Sequence, residues 1–288
     1  MSSVEWIFRP EVARPVMVCA FAGWNDGGEA ATTALRHLRD RSAGRRFASI
    51  DPEEFYDFQV NRPTVRLEPG LTRRLEWPRN DFFLARAGER DLVLFLGVEP
   101  NVRWRTYTQE ILRVATDLRV ELLVTLGAFL ADVPHTRPAP VSASSTDPEW
   151  LARPGVEPAR YEGPTGIVGV LHDAAPAVGV ASLSLWAAAP HYLPAGPNPK
   201  VALALLRALR DVVGLDVDLG DVARIAEGWQ RRVDEEVADD PALAEYVRQL
   251  EREGTGEPSP MPTGEELAEE LERFLRDQGR DQGASGNG

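Results

Sequence analysis

Four near-continuous apolar runs, separated by segments of helical periodicity, most restrict the fold of this chain. The runs cover residues 16–21, 91–97, 121–127 and 178–186. The helical patterns cover residues 27–40, 104–118 and 198–213. Strands that are apolar on both faces are typical of a sheet covered by helices on both sides. Strands alternating with helices therefore predict an α/β layered fold with a largely parallel sheet.

The region 51–90 breaks this rhythm, because two-residue alternation and turn dipeptides replace the helical pattern. Such a composition is typical of antiparallel hairpins. We therefore expect β-hairpins inserted in the sheet of a core domain that spans residues 1–215.

Two amphipathic helices are predicted to follow the core as an α-hairpin over 216–253. Their apolar stripes are Val222, Ile225, Trp229, Val233 and Val237 in the first helix, and Leu243, Tyr246, Val247 and Leu250 in the second. Asp240 suits the N-cap of the second helix, and Pro241 suits its first position. Both stripes need cover, from the α/β body or from another subunit. Residues 254–288 are predicted to form an acidic linker, a short amphipathic helix and a disordered end.

Charge and composition exclude several classes of protein. The net charge is −13, of which residues 221–288 contribute −10 through 18 acidic and 8 basic side chains. An acidic chain is repelled by phosphate backbones, so nonspecific binding to nucleic acid is disfavoured. No apolar run reaches the roughly 20 residues that span a bilayer and no signal-peptide core is present, so we expect no membrane association and a cytoplasmic location. The single cysteine, Cys19, lies in a buried run and predicts no redox chemistry.

A glycine-rich turn, FAGWNDGGEAA, joins the first buried strand to its helix. Asp26 can cap that helix, with Glu29 in the capping-box position. The alternative is a ligand or partner contact made by Gly23, Trp24, Asn25 and Asp26, in which helix N–H groups bind an anion. The spacing matches neither the dinucleotide nor the phosphate-loop motif, and both carboxylates would repel phosphate. A structural turn is favoured, and Trp24 is the residue best suited to anchor a contact.

Other polar residues follow later strands. Glu99 and Arg105 lie near the same predicted sheet edge, where an ion pair between them is the simplest expectation. Further candidates for ligand or partner contact are His135, in a long loop over 127–150, and the later turn residues Gly163, Pro164 and Thr165.

The sequence contains no strong motif for catalytic or metal-binding residues. A serine–histidine–acid set can be drawn from Ser144 or Ser145, His135 and Asp147, but no G-x-S-x-G motif accompanies it. The four histidines are scattered, and no cysteine pairs stand beside them. We therefore predict no metal site, no cofactor and no catalytic residue.

Aromatic residues beside proline-rich turns are typical of a subunit interface. The candidate interface residues are Trp186, His191, Tyr192, Trp229 and Tyr246.

Five blocks, in this order, resemble the proteasome assembly chaperone 2 family in its bacterial branch. They are FAGWNDGGEAATTAL, LGAFLADVPHTRP, YEGPTGIVGVLHDAA, SLWAAAPHYLPAGPNPKVALALL and DPALAEYVRQLE. Agreement in order over most of the chain is more specific than any single block, since each alone is a common turn.

The resemblance implies a three-layer α/β/α body with a mostly parallel, mixed sheet, of the phosphorylase/hydrolase kind, and self-association such as a trimer. Eukaryotic relatives pair as chaperones for proteasome α-rings. Archaeal relatives dock on proteasomes through a C-terminal hydrophobic-Tyr-any tripeptide, whereas this chain ends SGNG. The family implies no catalytic residues.

Two functions are therefore weighed. The preferred one is a non-catalytic, assembly-chaperone-like protein that self-associates and binds partner proteins, with proteasome subunits among the candidates. The alternative is an enzyme that binds a nucleoside or phosphorylated metabolite at the strand-end turns, which rests on fold analogy. A lesser possibility is that the acidic C-terminal helices recruit a basic protein.

Overall fold

The computed structural model describes residues 3–68, 71–193 and 196–253, so the features predicted for 254–288 lie outside the described residues. The strands are β1 (Val4–Trp6), β2 (Val16–Ala22), β3 (Arg45–Ile50), β4 (Thr64–Glu68), β5 (Leu71–Glu76), β6 (Asp81–Ala87), β7 (Arg90–Val98), β8 (Leu122–Ala131), β9 (Val141–Ser145), β10 (Glu157–Pro158) and β11 (Ala181–Pro190). The helices are α1 (Ala30–Arg41), α2 (Trp104–Asp117), α3 (Pro148–Leu151), α4 (Ile167–Ala174), α5 (Pro199–Ala208), α6 (Gly220–Asp239) and α7 (Pro241–Glu253).

Within the described residues, nine strands form one mixed sheet in the order β1-β3-β6-β7-β2-β8-β11-β9-β10. The four central strands, β7, β2, β8 and β11, run parallel to one another. Antiparallel strands extend the sheet on both sides, with β6 beside β7 and β9 beside β11. The carboxyl ends of the four central strands therefore meet at one edge, called here the carboxyl edge.

Helices cover both faces of this sheet, so the α/β/α prediction is confirmed. On one face, α1 and α5 pack over an aliphatic core built from Val, Leu and Ala side chains. On the other face, α2 and α4 pack over a core that is rich in aromatic rings. Each central strand is buried on both faces because each face meets a helical layer, which explains its near-continuous apolar sequence.

The predicted hairpins divide between two sheets. Strand β6 pairs with β7 in the main sheet, whereas β4 and β5 pair only with each other in a separate two-stranded hairpin. The expected loop over 127–150 also needs correction, because it contains the end of β8, all of β9 and the short helix α3. Five-residue strands such as β9 carry too little periodicity to be distinguished from a loop.

The C-terminal helices form the expected α-hairpin. Asp240 caps α7, since its Oδ1 accepts hydrogen bonds from the backbone N–H groups of Ala242 (3.0 Å) and Leu243 (3.1 Å). The apolar stripes of α6 and α7 meet in a small cluster that also includes Tyr192 from the body. The domain boundaries at 215 and 253 stay predictions.

Candidate functional site

The glycine-rich turn lies at the carboxyl edge, directly after β2. It comprises residues 23–26 and is called here the rim turn. Gly23 has φ +130°, and a Cβ on it would lie 3.0 Å from the Cβ of Glu99, so only glycine fits without strain. A 3₁₀ turn (Gly27–Glu29) then leads into α1. Asp26 forms a parallel bridge with Ala128, which fixes the rim turn against β8.

Asp26 binds the first turn of α1, but the N-cap of that helix is Glu29 and not Asp26, so the predicted capping box does not form. The Asp26 Oδ1 accepts hydrogen bonds from the backbone N–H groups of Ala31 (2.8 Å) and Thr32 (3.1 Å), and its Oδ2 accepts one from the Thr32 hydroxyl (2.5 Å). Glu29 adopts a left-handed backbone conformation, and its carboxylate lies 3.9 Å from Arg36 instead. Burial raises the pKa of Asp26 in spite of these hydrogen bonds.

Glu99, directly after β7, accepts three hydrogen bonds from two separate segments. Its Oε1 is bound by the Asn25 amide (2.7 Å) and by the backbone N–H of Ile167 (3.0 Å), and its Oε2 by the backbone N–H of Trp24 (3.3 Å). The predicted ion pair with Arg105 is wrong. Arg105 is exposed in the first turn of α2, while Glu99 turns inward to these donors.

The chain's own carboxylates therefore occupy the N-termini of two helices at the carboxyl edge. Asp26 binds the first turn of α1, and Glu99 binds the first N–H of α4. A helix N-terminus attracts an anion through its free N–H groups and its dipole. With a carboxylate already bound at each one, neither presents the site that a phosphate group would need.

Asn25 is the fully buried residue of the rim turn. Its backbone carbonyl accepts a hydrogen bond from the N–H of Ala128 (2.8 Å), and its amide group donates to Glu99. Its Oδ1 has no hydrogen-bond partner among the described residues. A Cβ on Gly166 would overlap both this amide and the Glu99 carboxylate, so glycine at 166 is what allows the three residues to pack.

Trp24 contrasts with its buried neighbours, since 53% of its surface is exposed. Its backbone is held by Glu99, whereas its ring extends from the rim into solvent. An exposed aromatic ring on a rigid backbone suits a protein contact, because little conformational entropy is lost on binding.

Of the later turn residues, Gly163, Pro164 and Thr165 lie in an exposed loop before α4. The Tyr161 hydroxyl donates to the carbonyl of Pro164 (2.9 Å), which closes this loop on itself. The residue that joins the loop to the rim turn is Gly166, which sequence reasoning missed. The glycine directly before the apolar run IVGV was the available signal.

His135 lies in a buried cluster between the body and the α-hairpin, away from the rim turn. Only 2% of its surface is exposed. The Tyr192 hydroxyl lies 2.7 Å from both its backbone N and its Nδ1, and Asp234 of α6 lies 3.1 Å from its Nε2. The Tyr192 hydroxyl oxygen accepts from the backbone N–H of His135, and the same hydroxyl donates its hydrogen to Nδ1 of the ring. Nε2 then carries the ring hydrogen and donates it to Asp234. This pattern assigns the neutral Nε2–H tautomer. Burial lowers the pKa of His135 and raises that of Tyr192 to about 12, which favours the same neutral forms.

Further polar contacts hold the same junction together. Lys200 donates to the backbone carbonyl of His135 and to Gln230 of α6 (2.7 Å). Thr136 and Arg137 both bind Glu251 near the end of α7. Asp234 and Lys200 are residues that sequence reasoning missed, because each contacts residues far from it in the chain.

Four of the five candidate interface residues gather at this junction. The rings of His191, Tyr192 and Tyr246 make mutual edge contacts at centroid distances of 5.8 Å, and Trp229 packs in the same apolar cluster. Trp186 lies apart on the sheet, where its indole N–H donates to Ser184 (2.9 Å). The contacts described here lie within one chain, so a role between subunits stays a prediction.

The serine–histidine–acid set is not assembled. Ser144 lies 3.4 Å from Nε2 of His172, not beside His135, and Asp147 caps α3. The other ring nitrogen of His172 lies 2.7 Å from the Ser182 hydroxyl, so no carboxylate orients this ring as a triad requires. Among the described residues, no three potential metal ligands cluster, and no helix is long and apolar enough to cross a membrane.

Comparison with known proteins identifies the family. The sequence profile of the PAC2 family matches residues 20–237. The chain belongs to the PAC2 family. This result confirms the resemblance seen in the five sequence blocks. A search of curated proteins finds no match.

Two crystal structures of PAC2 relatives are closely similar. A PAC2 family protein from Streptomyces avermitilis shares 50% identity over 81% of this chain and 99% of its own, with a TM-score of 0.74. A proteasome-assembly chaperone homologue from Mycobacterium tuberculosis shares 46% identity with the same coverage and TM-score. The archaeal proteasome activator PbaB from Pyrococcus furiosus shares the fold, at 18% identity and a TM-score of 0.64.

Proposed function

We propose that this chain is a non-catalytic, assembly-chaperone-like protein that self-associates and binds other proteins at its carboxyl edge, with proteasome subunits among the candidate partners. Membership of the PAC2 family supports a chaperone-like role. The observation that carries the proposal is the occupation of the N-termini of α1 and α4 by Asp26 and Glu99, beside the exposed ring of Trp24. A rim whose two carboxylates are already bound by the chain's own donors suits a rigid contact surface better than a reaction centre. The proposed location is the cytoplasm.

Trp24→Ala tests the partner contact without disturbing the fold, because the ring is exposed and only the backbone of residue 24 is held. Ile225→Ala is the matched control, since Ile225 is also exposed, at 59%, but lies on α6. We expect proteins that co-purify with the wild type from the native host to lose at least about tenfold in retention for Trp24→Ala, the factor of a hot-spot residue. Equal retention by both variants would contradict a contact at the rim.

Self-association is tested separately by light scattering on the purified chain at micromolar concentration. A mass of two or more times the chain's 31.7 kDa supports self-association. A strict monomer under these conditions, together with no co-purifying protein, would count against the whole proposal.

The metabolite-binding alternative makes the opposite prediction in a thermal-shift screen of phosphate, nucleosides and nucleotides. Because carboxylates fill the N-termini of α1 and α4, the two helices that begin beside the rim turn, we expect no shift in melting temperature with any of these compounds. A concentration-dependent shift that Glu99→Ala abolishes would favour an enzyme or a ligand sensor instead.

A further inference from the structure

The β4–β5 hairpin carries an exposed apolar face. Val65 and Leu75 are cross-strand partners, and Leu67 lies on the same face because it follows Val65 by two residues. All three are exposed, and Leu67 reaches 80%. A two-stranded hairpin is marginally stable alone in water, and a contiguous apolar face on a surface marks a binding site. We therefore expect another apolar segment to pack on this face, called here the hairpin face.

The charge of the hairpin indicates what kind of cover it needs. Residues 60–79 carry five arginines and two glutamates, a balance of +3 on a chain whose net charge is −13. On the opposite side of the hairpin, Arg66 and Glu76 already form an ion pair (2.8 Å). The complementary occupant is an apolar segment flanked by carboxylates.

The chain contains one such segment in residues 265–277. Leu267, Leu271, Phe274 and Leu275 recur at the spacing of one helix face. The same 13 positions carry six acidic and two basic residues, a balance of −4. This segment, called here the tail stripe, matches the hairpin face in both apolarity and charge.

The tail stripe can reach the hairpin within one molecule. The hairpin lies at the carboxyl edge, because β6 begins at Asp81, opposite Leu96 near the end of β7. Helix α7 ends beside the loop that follows β8, where Glu251 contacts Thr136 and Arg137. Strands β6 and β8 are three positions apart in the sheet, about 15 Å. The 11 residues 254–264 extend to about 37 Å, more than twice that separation.

We propose that the tail stripe packs its apolar side against the hairpin face of the same chain. A short tether raises the effective concentration of the segment to the millimolar range, so even a weak contact is populated within one molecule. The inference goes beyond the proposed function, since this contact needs no partner protein. Another protein gains access to the hairpin face only by displacing the tail stripe.

Engineered cysteine pairs in the full chain test this contact. Cys19 is fully buried, and burial raises its pKa, so added surface thiols are the reactive ones. Leu67→Cys with Phe274→Cys places one thiol on each proposed apolar surface. Arg66→Cys with Phe274→Cys is the matched control, because residue 66 lies on the opposite face of the hairpin. Leu67 and Arg66 are exposed and Phe274 lies outside the described residues, so both pairs are expected to fold, which a melting curve verifies.

A short bismaleimide is added, and the products are separated on a denaturing gel and mapped by mass spectrometry. We expect the Leu67 pair to cross-link within one chain at least about tenfold faster than the Arg66 pair, as an oriented contact requires. Equal rates for the two pairs would show random encounters and overturn the proposal. Products formed only between chains would also overturn it, because they place the tail stripe on another copy. Neither result depends on whether the proposed partner binding exists.

Discussion

The carboxylate of Glu99 accepts a hydrogen bond of 3.0 Å from the backbone N–H of Ile167, the first residue of α4. The two residues are 68 positions apart in the sequence, so the contact joins the end of β7 to the start of a helix on the aromatic face. The same carboxylate holds the rim turn through Asn25. One side chain thus fixes the relative position of three segments at the carboxyl edge.

Glu99→Ala is expected to lower the free energy of unfolding by about 2–4 kcal/mol, because three donors lose a charged acceptor and two of them belong to buried residues. Urea unfolding measures this change. Glu99→Gln is the control, since its amide oxygen can still accept at one position, and its loss should be clearly smaller. Equal losses for the two variants would mean that the acceptor role of Glu99 is unimportant.

Gly166→Ala is expected to destabilise the fold by about 1–3 kcal/mol, because the new methyl group overlaps the buried Asn25 amide. Adding Asn25→Ala removes the overlap with the amide and leaves only that with the Glu99 carboxylate, so the loss in the double variant should be smaller than the sum of the two single losses. Gly228→Ala on α6 is the control. Its surroundings are open, and it should gain about 0.5–1 kcal/mol. Strict additivity in the cycle would contradict the packing argument.

The layers of the fold could be predicted because they depend on local patterns. The β2 and β7 sequences are apolar at nearly every position, which only a doubly covered sheet explains. The separate β4–β5 hairpin could not be distinguished from strands of the main sheet, because two-residue alternation looks the same in both. Which strand β4 and β5 pair with is decided by tertiary contacts, not by the local sequence pattern.

The candidate site was predictable in its residues more than in its contacts. The rim turn stood out through its glycines, and the contact of Asp26 with the start of α1 followed from spacing, although its position relative to the N-cap did not. The partner of Glu99 could not be predicted. Arg105 is close to Glu99 in the sequence, whereas the N-terminus of α4, which Glu99 binds, is brought near it only by the fold. The acceptor of the His135 ring, Asp234, could not be predicted either, because it is 99 residues away in the sequence.

Asn80→Ala is expected to cost about 3–5 kcal/mol, a loss typical of a buried hydrogen-bond network. Its Oδ1 lies 2.7 Å from the hydroxyls of both Tyr56 and Tyr107 and accepts from the N–H of Val98 (3.1 Å), next to Glu99. Tyr107→Phe removes one of these donors and should cost less, about 1 kcal/mol. Thermal unfolding followed by circular dichroism compares the two. A larger loss for Tyr107→Phe would show that the Tyr107 hydroxyl, not the shared acceptor Asn80, dominates this network.

Stability is expected to fall in mild acid because of the buried histidines. Burial lowers the pKa of His135 and of His172 below the ordinary value of 6.5, so the unfolded chain takes up protons at a higher pH than the folded chain does. The free energy of unfolding is therefore insensitive to these groups above about pH 7 and decreases as the pH falls below about 6.5, until the folded-state pKa values are reached. Each group can contribute a slope of up to about 1.4 kcal/mol per pH unit in that window.

Urea unfolding at several pH values between about 7.5 and 5.5 measures this slope of the free energy of unfolding. His135→Gln should remove one part of the slope, and His172→Gln another part. A slope that is unchanged in His135→Gln would show that His135 takes up its proton as readily in the folded chain as in the unfolded chain.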